Sequence, residues 1–238
     1  MVAVYSTFAQ RAVDCVIHDV CLQRLPVILC LDRAGIVGDD GPTHHGVFDL
    51  ALFRNIPNLV IMQPADGAEL AHMLCTATQL NGPAIIRYPR GTGPRTLIPE
   101  TLEALPVGQA SVVRDGWEIQ IWALGDMLPL AAEVADRLTE QGFSAGLVNA
   151  RFVCPLDVDM LREQSEYAKA FVTLENAVVA GGFGTAVTEA LTAMQSPAKV
   201  LRFGWPNQFI CHGAGNLLME QYGLTPAAIT ESVVKALA

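Results

Sequence analysis

Short apolar, β-branched runs alternate with helical patterns along most of this 238-residue chain. Repeated strand–helix units build parallel sheets that are covered by helices, with right-handed crossovers between strands. The predicted strands span residues 2–5, 26–31, 58–62, 83–88, 118–123, 145–150, 170–174 and 199–203. The predicted helices span residues 8–23, 67–80, 128–141, 157–164, 184–194 and 226–237. This alternation restricts the chain to the α/β class.

A segment rich in Pro, Gly and Thr interrupts the alternation after the fourth predicted strand. It contains two turn-forming clusters, Gly91-Thr92-Gly93-Pro94 and Asp115-Gly116, of the kind that connects domains. We therefore predict a parallel-sheet domain over residues 1–97, a linker over residues 98–115 and a smaller α/β domain over residues 116–238.

Charge and apolar content exclude several classes of function. The net charge is -9, whereas nucleic-acid binding requires a basic face, so we expect no nucleic-acid partner. Hydrophobic residues make up 51% of the chain, which leaves apolar surface for another subunit or domain to cover. The six cysteines form no C-x-x-C pair and are predicted to be buried free thiols of a reducing compartment. No apolar run reaches the roughly 18 residues of a membrane span, so we expect a cytoplasmic protein without a membrane partner.

The densest polar cluster is the loop over residues 32–46, which follows a strand predicted to be buried on both faces. Ligands of parallel sheets bind at the carboxyl ends of the strands, and this loop lies at one such end. His44 can move a proton near neutral pH, and a carboxylate such as Asp40 suits that chemistry. Two alternatives remain open from the residues alone. The loop can be a solvated surface turn, or it can bind a metal, although adjacent His44 and His45 diverge on an extended chain.

Two further groups of residues follow predicted strands. The run Arg87-Tyr88-Pro89-Arg90-Gly91 can present an arginine to a phosphate, or it can be an ordinary surface segment before the linker. Phe8 in the first strand-to-helix turn can stack on a planar ring, or it can belong to the core. The glycine-rich run 180–185 does not complete a G-x-G-x-x-G pattern, because residue 187 is valine, so we expect a tight turn there.

Taken together, these runs resemble one family, the 1-deoxy-D-xylulose-5-phosphate synthases. In the first half the similar motifs are Tyr5-Ser6-Thr7-Phe8 with Gln10-Arg11, Asp32-Arg33-Ala34-Gly35 to Asp40-Gly41-Pro42-Thr43-His44, Ile56-Pro57-Asn58, and Arg87-Tyr88-Pro89-Arg90-Gly91. In the second half they are Asn149-Ala150-Arg151-Phe152 with Pro155-Leu156-Asp157, Gly181-Gly182-Phe183-Gly184, Phe209-Ile210 and His212-Gly213. The first set is specific to that family, and the second is shared with transketolase-like proteins.

The resemblance implies a particular fold and reaction. The family has three domains, and this chain is similar to the later part of the second, pyrimidine-binding domain followed by the whole transketolase-type C-terminal domain. The implied reaction decarboxylates pyruvate and joins the two-carbon unit to glyceraldehyde 3-phosphate, with thiamine diphosphate and Mg²⁺ as cofactors. The product feeds isoprenoid, thiamine and pyridoxal synthesis. The diphosphate and metal ligands and the glutamate that activates the cofactor are expected outside this chain, so we expect it to be inactive alone.

The resemblance also assigns roles to seven residues. It implies that Phe8 stacks on the aminopyrimidine ring of the cofactor, with Arg11 beside it. The residues implied to hold glyceraldehyde 3-phosphate are Tyr5, Arg33 and Arg90, and those implied to be catalytic near the reacting carbon are Asp40 and His44. We further expect a homo-oligomer, a dimer in the family, that requires an N-terminal region or subunit for activity. The alternatives are a non-catalytic oligomerisation module and a subunit of another two-chain transketolase-like enzyme.

Overall fold

The computed structural model describes residues 1–91, 93 and 96–238. Its strands are β1 (Val2–Tyr5), β2 (Ile28–Asp32), β3 (Val60–Met62), β4 (Ala84–Arg87), β5 (Ser111–Arg114), β6 (Ile119–Ala123), β7 (Ala145–Asn149), β8 (Phe152–Cys154), β9 (Ala170–Val178) and β10 (Lys199–Trp205). Its helices are α1 (Ser6–Ala9), α2 (Val13–Cys15), α3 (Asp49–Phe53), α4 (Gly67–Gln79), α5 (Leu128–Glu140), α6 (Val158–Ser165), α7 (Phe183–Ala193), α8 (Gly215–Gln221) and α9 (Pro226–Leu237). None of the described helices is long and apolar enough to cross a membrane.

The first sheet has the strand order β1-β2-β4-β3-β8, and its first four strands are parallel. Tyr5 at the end of β1 pairs with Asp32 at the end of β2, and Leu31 pairs with Arg87 at the end of β4. The three carboxyl ends therefore lie side by side. The loops that leave them begin on the same edge of the sheet.

The second sheet has the order β10-β9-β6-β7-β5 and is parallel apart from β5. Apolar side chains of β6, β7 and β9 pack beneath α5 and α9 in one buried cluster. A second cluster joins the two sheets, since it contains Phe53 and Ile61 from the first half together with Trp122 and Phe171 from the second. The predicted α/β fold with two parallel-type sheets is confirmed.

The predicted boundary between the domains needs two corrections. Residues 111–114, which we assigned to the linker, form β5 and pair antiparallel with β7. Phe152–Cys154, from the second predicted domain, forms β8 and pairs antiparallel with β3 of the first sheet. Both strands are so short that their pairing depends on the neighbouring strand rather than on their own pattern. The predicted turn at residues 91–94 lies partly outside the described residues.

The first predicted helix is also different from the expectation. Between Ser6 and Cys21 the chain forms four short helical segments, including a π-helical turn over Val16–Cys21. Serine and threonine often cap helices, but the Ser6 hydroxyl donates to Asp49 and the Thr7 hydroxyl donates to the Thr43 carbonyl. Because both hydroxyls bind groups elsewhere in the fold, α1 has no side-chain cap. Asp66 and Thr225 do cap α4 and α9, since their side chains accept from the Glu69 and Ala228 amides.

The cysteines are only partly as predicted. All six lie in the described part of the chain and are free thiols. Cys21 and Cys30 are buried, whereas Cys15 and Cys211 are exposed. The prediction of buried thiols is therefore wrong for the last two, which lie at a helix surface and in a loop.

Candidate functional site

The seven residues singled out from the sequence meet at the carboxyl edge of the first sheet. Tyr5 is the last residue of β1, Arg33 follows β2, and Arg90 lies three residues beyond the end of β4. The parallel register brings these three strand ends together. Asp40 and His44 belong to the loop after β2, and Phe8 and Arg11 belong to the helical segment after β1.

Two arginines converge on one carboxylate oxygen. Arg33 Nη1 lies 3.0 Å from Asp40 Oδ2, and Arg90 Nη1 lies 2.9 Å from the same atom. Arg90 Nη1 also donates to the Val37 carbonyl at 3.2 Å. The side chains of Arg33, Arg90 and Asp40 are 26%, 46% and 33% exposed, so solvent reaches all three. Two positive charges therefore face one carboxylate oxygen at this point.

The loop after β2 reaches this geometry through its backbone. Arg33 adopts a left-handed conformation with φ +57°, and its amide donates to Asp32 Oδ1 at 2.7 Å. At the other end of the loop, a Cβ on Gly46 would lie 2.5 Å from the Arg33 carbonyl oxygen and 2.5 Å from Ser6 Oγ. Glycine is therefore needed at position 46, because any side chain there would separate the loop from β1.

Aromatic rings form the second half of the cluster. The rings of Tyr5 and Phe8 are stacked, with centroids 5.7 Å apart and an interplanar angle of 14°. His44 meets the Phe8 ring edge-on at 5.5 Å, and the Arg11 guanidinium lies 5.7 Å from its centroid. The Arg33 guanidinium lies 4.2 Å from the Tyr5 centroid, which connects the rings to the arginine pair. Phe8 is 37% exposed, so part of its ring remains free to contact another planar group.

The adjacent histidines have different environments. His44 is partly exposed, and its Nδ1 lies 2.9 Å from Thr43 Oγ1. His45 is buried; its Nδ1 accepts from the Val37 amide at 3.2 Å, and its Nε2 lies 3.1 Å from the Cys211 carbonyl. Burial lowers the pKa of His45, which keeps the ring neutral with the proton on Nε2. The geometry does not favour metal binding by this pair. Across residues 1–91, 93 and 96–238, no group of three His, Cys, Asp or Glu side chains is arranged to hold a metal ion.

A buried polar network lies directly beneath the cluster, and the sequence did not reveal it. Arg87 is completely buried; its Nε donates to Asp49 Oδ2 at 3.0 Å, and its Nη1 donates to Gln63 Oε1. Gln63 Nε2 donates to Asp126 Oδ1 at 2.6 Å, and Asn176 Nδ2 donates to Asp126 Oδ2 at 2.7 Å. Protein atoms surround most of the Asp126 carboxyl, and this burial raises its pKa. The network crosses from the first sheet to the second.

A cavity of about 430 Å³ lies between the two domains, beside this network. Its lining includes Asp66, Tyr88, Arg90, Asp126 and Asn176. Arg90 thus borders both the surface cluster and the interdomain space. The signal that could have pointed to the network is the presence of polar residues within apolar strands, as in Thr173-Leu174-Glu175-Asn176 of β9.

Comparison with known proteins defines the family. The description "Transketolase, pyrimidine binding domain" matches residues 1–95, and "Transketolase, C-terminal domain" matches residues 108–229. A solved structure named "Split gene transketolase, inactive beta4 tetramer" is 32% identical; the alignment covers 99% of this chain and 74% of that one, with a TM-score of 0.86. The chain belongs to the transketolase family.

Within the transketolase family, the resemblance to 1-deoxy-D-xylulose-5-phosphate synthases is confirmed. The synthase of Acidobacterium capsulatum is 49% identical over 97% of this chain, and that of Desulforudis audaxviator is 51% identical over 94%. The chain spans little more than a third of the length of these relatives, 37% and 36% respectively. A transketolase mutant from Pichia stipitis, 21% identical with a TM-score of 0.76, shares the fold across 98% of this chain and 33% of its own.

Proposed function

We propose that this chain carries the acceptor-binding side of a 1-deoxy-D-xylulose-5-phosphate synthase. Completed by an N-terminal region, it would condense pyruvate and glyceraldehyde 3-phosphate with loss of carbon dioxide. The observation that carries the proposal is the convergence of Arg33 and Arg90 on Asp40, beside Tyr5, at neighbouring strand ends. An accessible pair of arginines suits a phosphate dianion, which arginine can bind through two parallel hydrogen bonds.

In this proposal the acceptor binds with its phosphate at the arginines and its aldehyde toward His44. The phosphate competes with Asp40 for Arg33 and Arg90. Because all three side chains are partly exposed, breaking their ion pairs costs little free energy. When the new carbon–carbon bond forms, the aldehyde oxygen must gain a proton to become a hydroxyl group. His44 is the general acid in our assignment, and its ring lies against Phe8.

The residues present fit one part of the proposed cofactor. The exposed part of the Phe8 ring offers a stacking surface for an aminopyrimidine, and Arg11 borders that ring. Thiamine diphosphate would supply the decarboxylation chemistry and the activated two-carbon unit. We propose that the ligands of its diphosphate and of Mg²⁺ come from the remaining part of the enzyme. The chain alone should therefore bind the cofactor weakly, which calorimetry with thiamine diphosphate and Mg²⁺ would measure.

Complementation tests the proposed function directly. We would mix the purified chain with a separately produced N-terminal region of a related synthase and follow product formation from pyruvate and glyceraldehyde 3-phosphate. The mixture should be active, whereas each part alone should not. A stable mixture that binds cofactor but forms no product would contradict the proposal. Other phosphorylated and non-phosphorylated aldehydes, offered to the active mixture, would separate this synthase from a transketolase-like enzyme with another acceptor.

One observation favours a second candidate, a non-catalytic oligomerisation module. The 32% identical structure is named an inactive β4 tetramer of a split-gene transketolase, and this chain covers 74% of it. Exposed apolar side chains on the first domain, such as Val2, Leu22 and Leu25, offer surface for self-association. Both candidates predict oligomers by light scattering. They differ in the mixing experiment, because the module would stay inactive with every N-terminal region.

A further inference from the structure

The loop over residues 32–46 rests on the second domain at several points. The Ile36 amide donates to Asn176 Oδ1 at 3.2 Å, and the Gly213 amide donates to the Gly38 carbonyl at 3.3 Å. His45 Nε2 lies 3.1 Å from the Cys211 carbonyl. The loop that carries Arg33, Asp40 and His44 is thus shaped by residues outside its own domain.

Among the residues that contact the loop, Asn176 makes four hydrogen bonds. Its Oδ1 accepts from the Ile36 amide and, at 2.7 Å, from Trp205 Nε1, while its Nδ2 donates to Asp126 Oδ2 at 2.7 Å. Its backbone carbonyl accepts from Arg87 Nη2 at 3.1 Å. The amide side chain can make these contacts in one orientation only, because its oxygen faces two donors and its nitrogen faces a carboxylate.

A glycine in the loop leaves room for the Asn176 side chain. Gly35 has φ +82°, and a Cβ there would lie 2.3 Å from the Asn176 side chain. Gly35 and Gly46 exchange two backbone hydrogen bonds of 2.8 Å, which close the base of the loop. Asn176 binds the next residue, Ile36, and therefore fixes the loop where its two ends meet.

We propose that Asn176 of the second domain is a positioning residue for the acceptor site. It holds the base of the loop so that Asp40 stays between Arg33 and Arg90 and His44 stays against Phe8. The link to the start of α1 is continuous, because Asp126 leads through Gln63 and Arg87 to Asp49, which accepts from Ser6 at 2.9 Å. The effect on catalysis rests on the proposed function, whereas the effect on the loop does not.

Hydrogen exchange measured by mass spectrometry tests the structural part on the chain itself. Asn176→Ala should speed exchange in peptides covering residues 33–46 at least tenfold, because the Ile36 amide loses its acceptor and the base of the loop loosens. The matched control is Asn149→Ala. Asn149 Nδ2 donates to Glu69 across the same domain boundary at 3.0 Å, but it does not contact the loop. Unchanged loop exchange in Asn176→Ala, or equal changes in both variants, would overturn the proposal.

A conservative variant distinguishes loss of the Ile36 contact from a general loss of folding. Asn176→Asp keeps the oxygen that accepts from Ile36 and replaces the donor to Asp126 with a second carboxyl group, so the two carboxyl groups must share one proton to stay in contact. Its loop exchange should fall between that of the wild type and that of Asn176→Ala. Loop exchange as fast as in Asn176→Ala, in a variant that melts with one cooperative transition, would contradict a role for the Ile36 contact.

Steady-state kinetics in the completed enzyme test the effect of Asn176 on acceptor binding. Asn176→Ala should raise KM for glyceraldehyde 3-phosphate about tenfold or more and leave KM for pyruvate within about twofold, while Asn149→Ala should change neither. A wild-type mixture without activity would refute the proposed function, and the exchange data would still decide the role of Asn176 in the loop. A loosened loop with an unchanged acceptor KM would overturn the positioning role.

Discussion

Two arginines three residues apart use the same kind of ion pair for opposite purposes. Arg87 ends β4 and donates to Asp49, and both side chains are almost completely buried, at 0% and 1% exposure. Arg90 lies beyond the strand and contacts Asp40, with 46% and 33% exposure. Both pairs have a nitrogen–oxygen distance near 3 Å, at 3.0 and 2.9 Å.

The difference in burial decides what each pair can do. The buried pair cannot be broken without leaving a charge in a medium that solvates it poorly, so it holds the loops and strands in place. The exposed pair is worth about 0–1 kcal/mol, since water solvates each partner almost as well. A ligand anion can therefore replace Asp40 at little cost. Arg90 is therefore accessible to an anionic ligand, whereas Arg87 is not.

The largest expected effect follows from removing the buried arginine. Arg87→Ala should destabilise the chain by about 3–5 kcal/mol, because Asp49 remains buried without its partner. Urea denaturation followed by circular dichroism would measure the loss. Arg114→Ala is the matched control, since Arg114 forms an exposed pair with Asp136 at 2.6 Å and should cost about 0–1 kcal/mol. Equal losses in the two variants would remove the distinction between the pairs.

The next effect concerns chemistry rather than folding. His44→Ala in the completed enzyme should lower kcat about 10²–10⁴-fold, the usual contribution of a general acid or base. Its unfolding free energy should change by less than about 1 kcal/mol, because the ring is partly exposed. Steady-state kinetics at saturating substrate would measure the change. A variant with normal kcat would show that the histidine only packs against Phe8.

The exposed arginine should show the reverse of the Arg87 result. Arg90→Ala should raise KM for glyceraldehyde 3-phosphate by a factor corresponding to about 1.5–3 kcal/mol, roughly 10- to 100-fold, with a small change in stability. The steps that involve pyruvate alone should be little affected. Arg114→Ala again serves as the control and should leave KM unchanged. Loss of stability without loss of acceptor affinity would make Arg90 structural as well.

The smallest expected effect is a pH dependence of the loop. Burial lowers the pKa of His45 from its usual 6.5, so the folded protein binds this proton less readily than the unfolded chain. The stability that His45 contributes is present above pH 6.5 and is lost as the pH falls through the lower, folded pKa. The advantage of the wild type over His45→Gln should shrink over that range, as measured by denaturation at several pH values.

The comparison with His45→Gln is needed because Glu175 changes the stability of the protein with pH in the opposite direction. Burial raises the pKa of Glu175 to about 7 from 4.5, so its contribution to stability falls as the pH rises between these values. Taking the difference between two proteins that both contain Glu175 removes this term. A difference that stays constant from pH 8 to pH 5 would show that the pKa of His45 is the same in the folded and the unfolded state.

The sequence placed the exposed residues of the candidate site together and missed the buried network beneath them. Tyr5, Arg33 and Arg90 follow runs that the pattern identifies as strands, and parallel strands place their carboxyl ends together. The same pattern could not separate Arg87 from Arg90, because burial depends on Asp49 and Gln63, which are distant in sequence. Asn176 was missed for a similar reason, since its contacts involve an amide 140 residues earlier in the chain.

The domain boundary was harder to predict than the strands themselves. Runs such as β6 and β9 were found because they are rich in apolar residues and are followed by helices. The short strands β5 and β8 have no such context, and each is held by one antiparallel neighbour. Local pattern therefore identified most strands of both sheets and missed the two antiparallel edge strands, β5 and β8.

The strand β8 has a consequence for how the protein is made. Phe152 is fully buried in the core of the first domain, together with Met62, Met73 and Ile86. A ribosome that has completed β4 but not β8 has therefore not yet supplied everything that this core contains. We therefore expect the first sheet of the nascent chain to lack its edge strand β8 until Cys154 leaves the exit tunnel. A protease that cuts between the domains afterwards would leave two fragments that remain bound to each other.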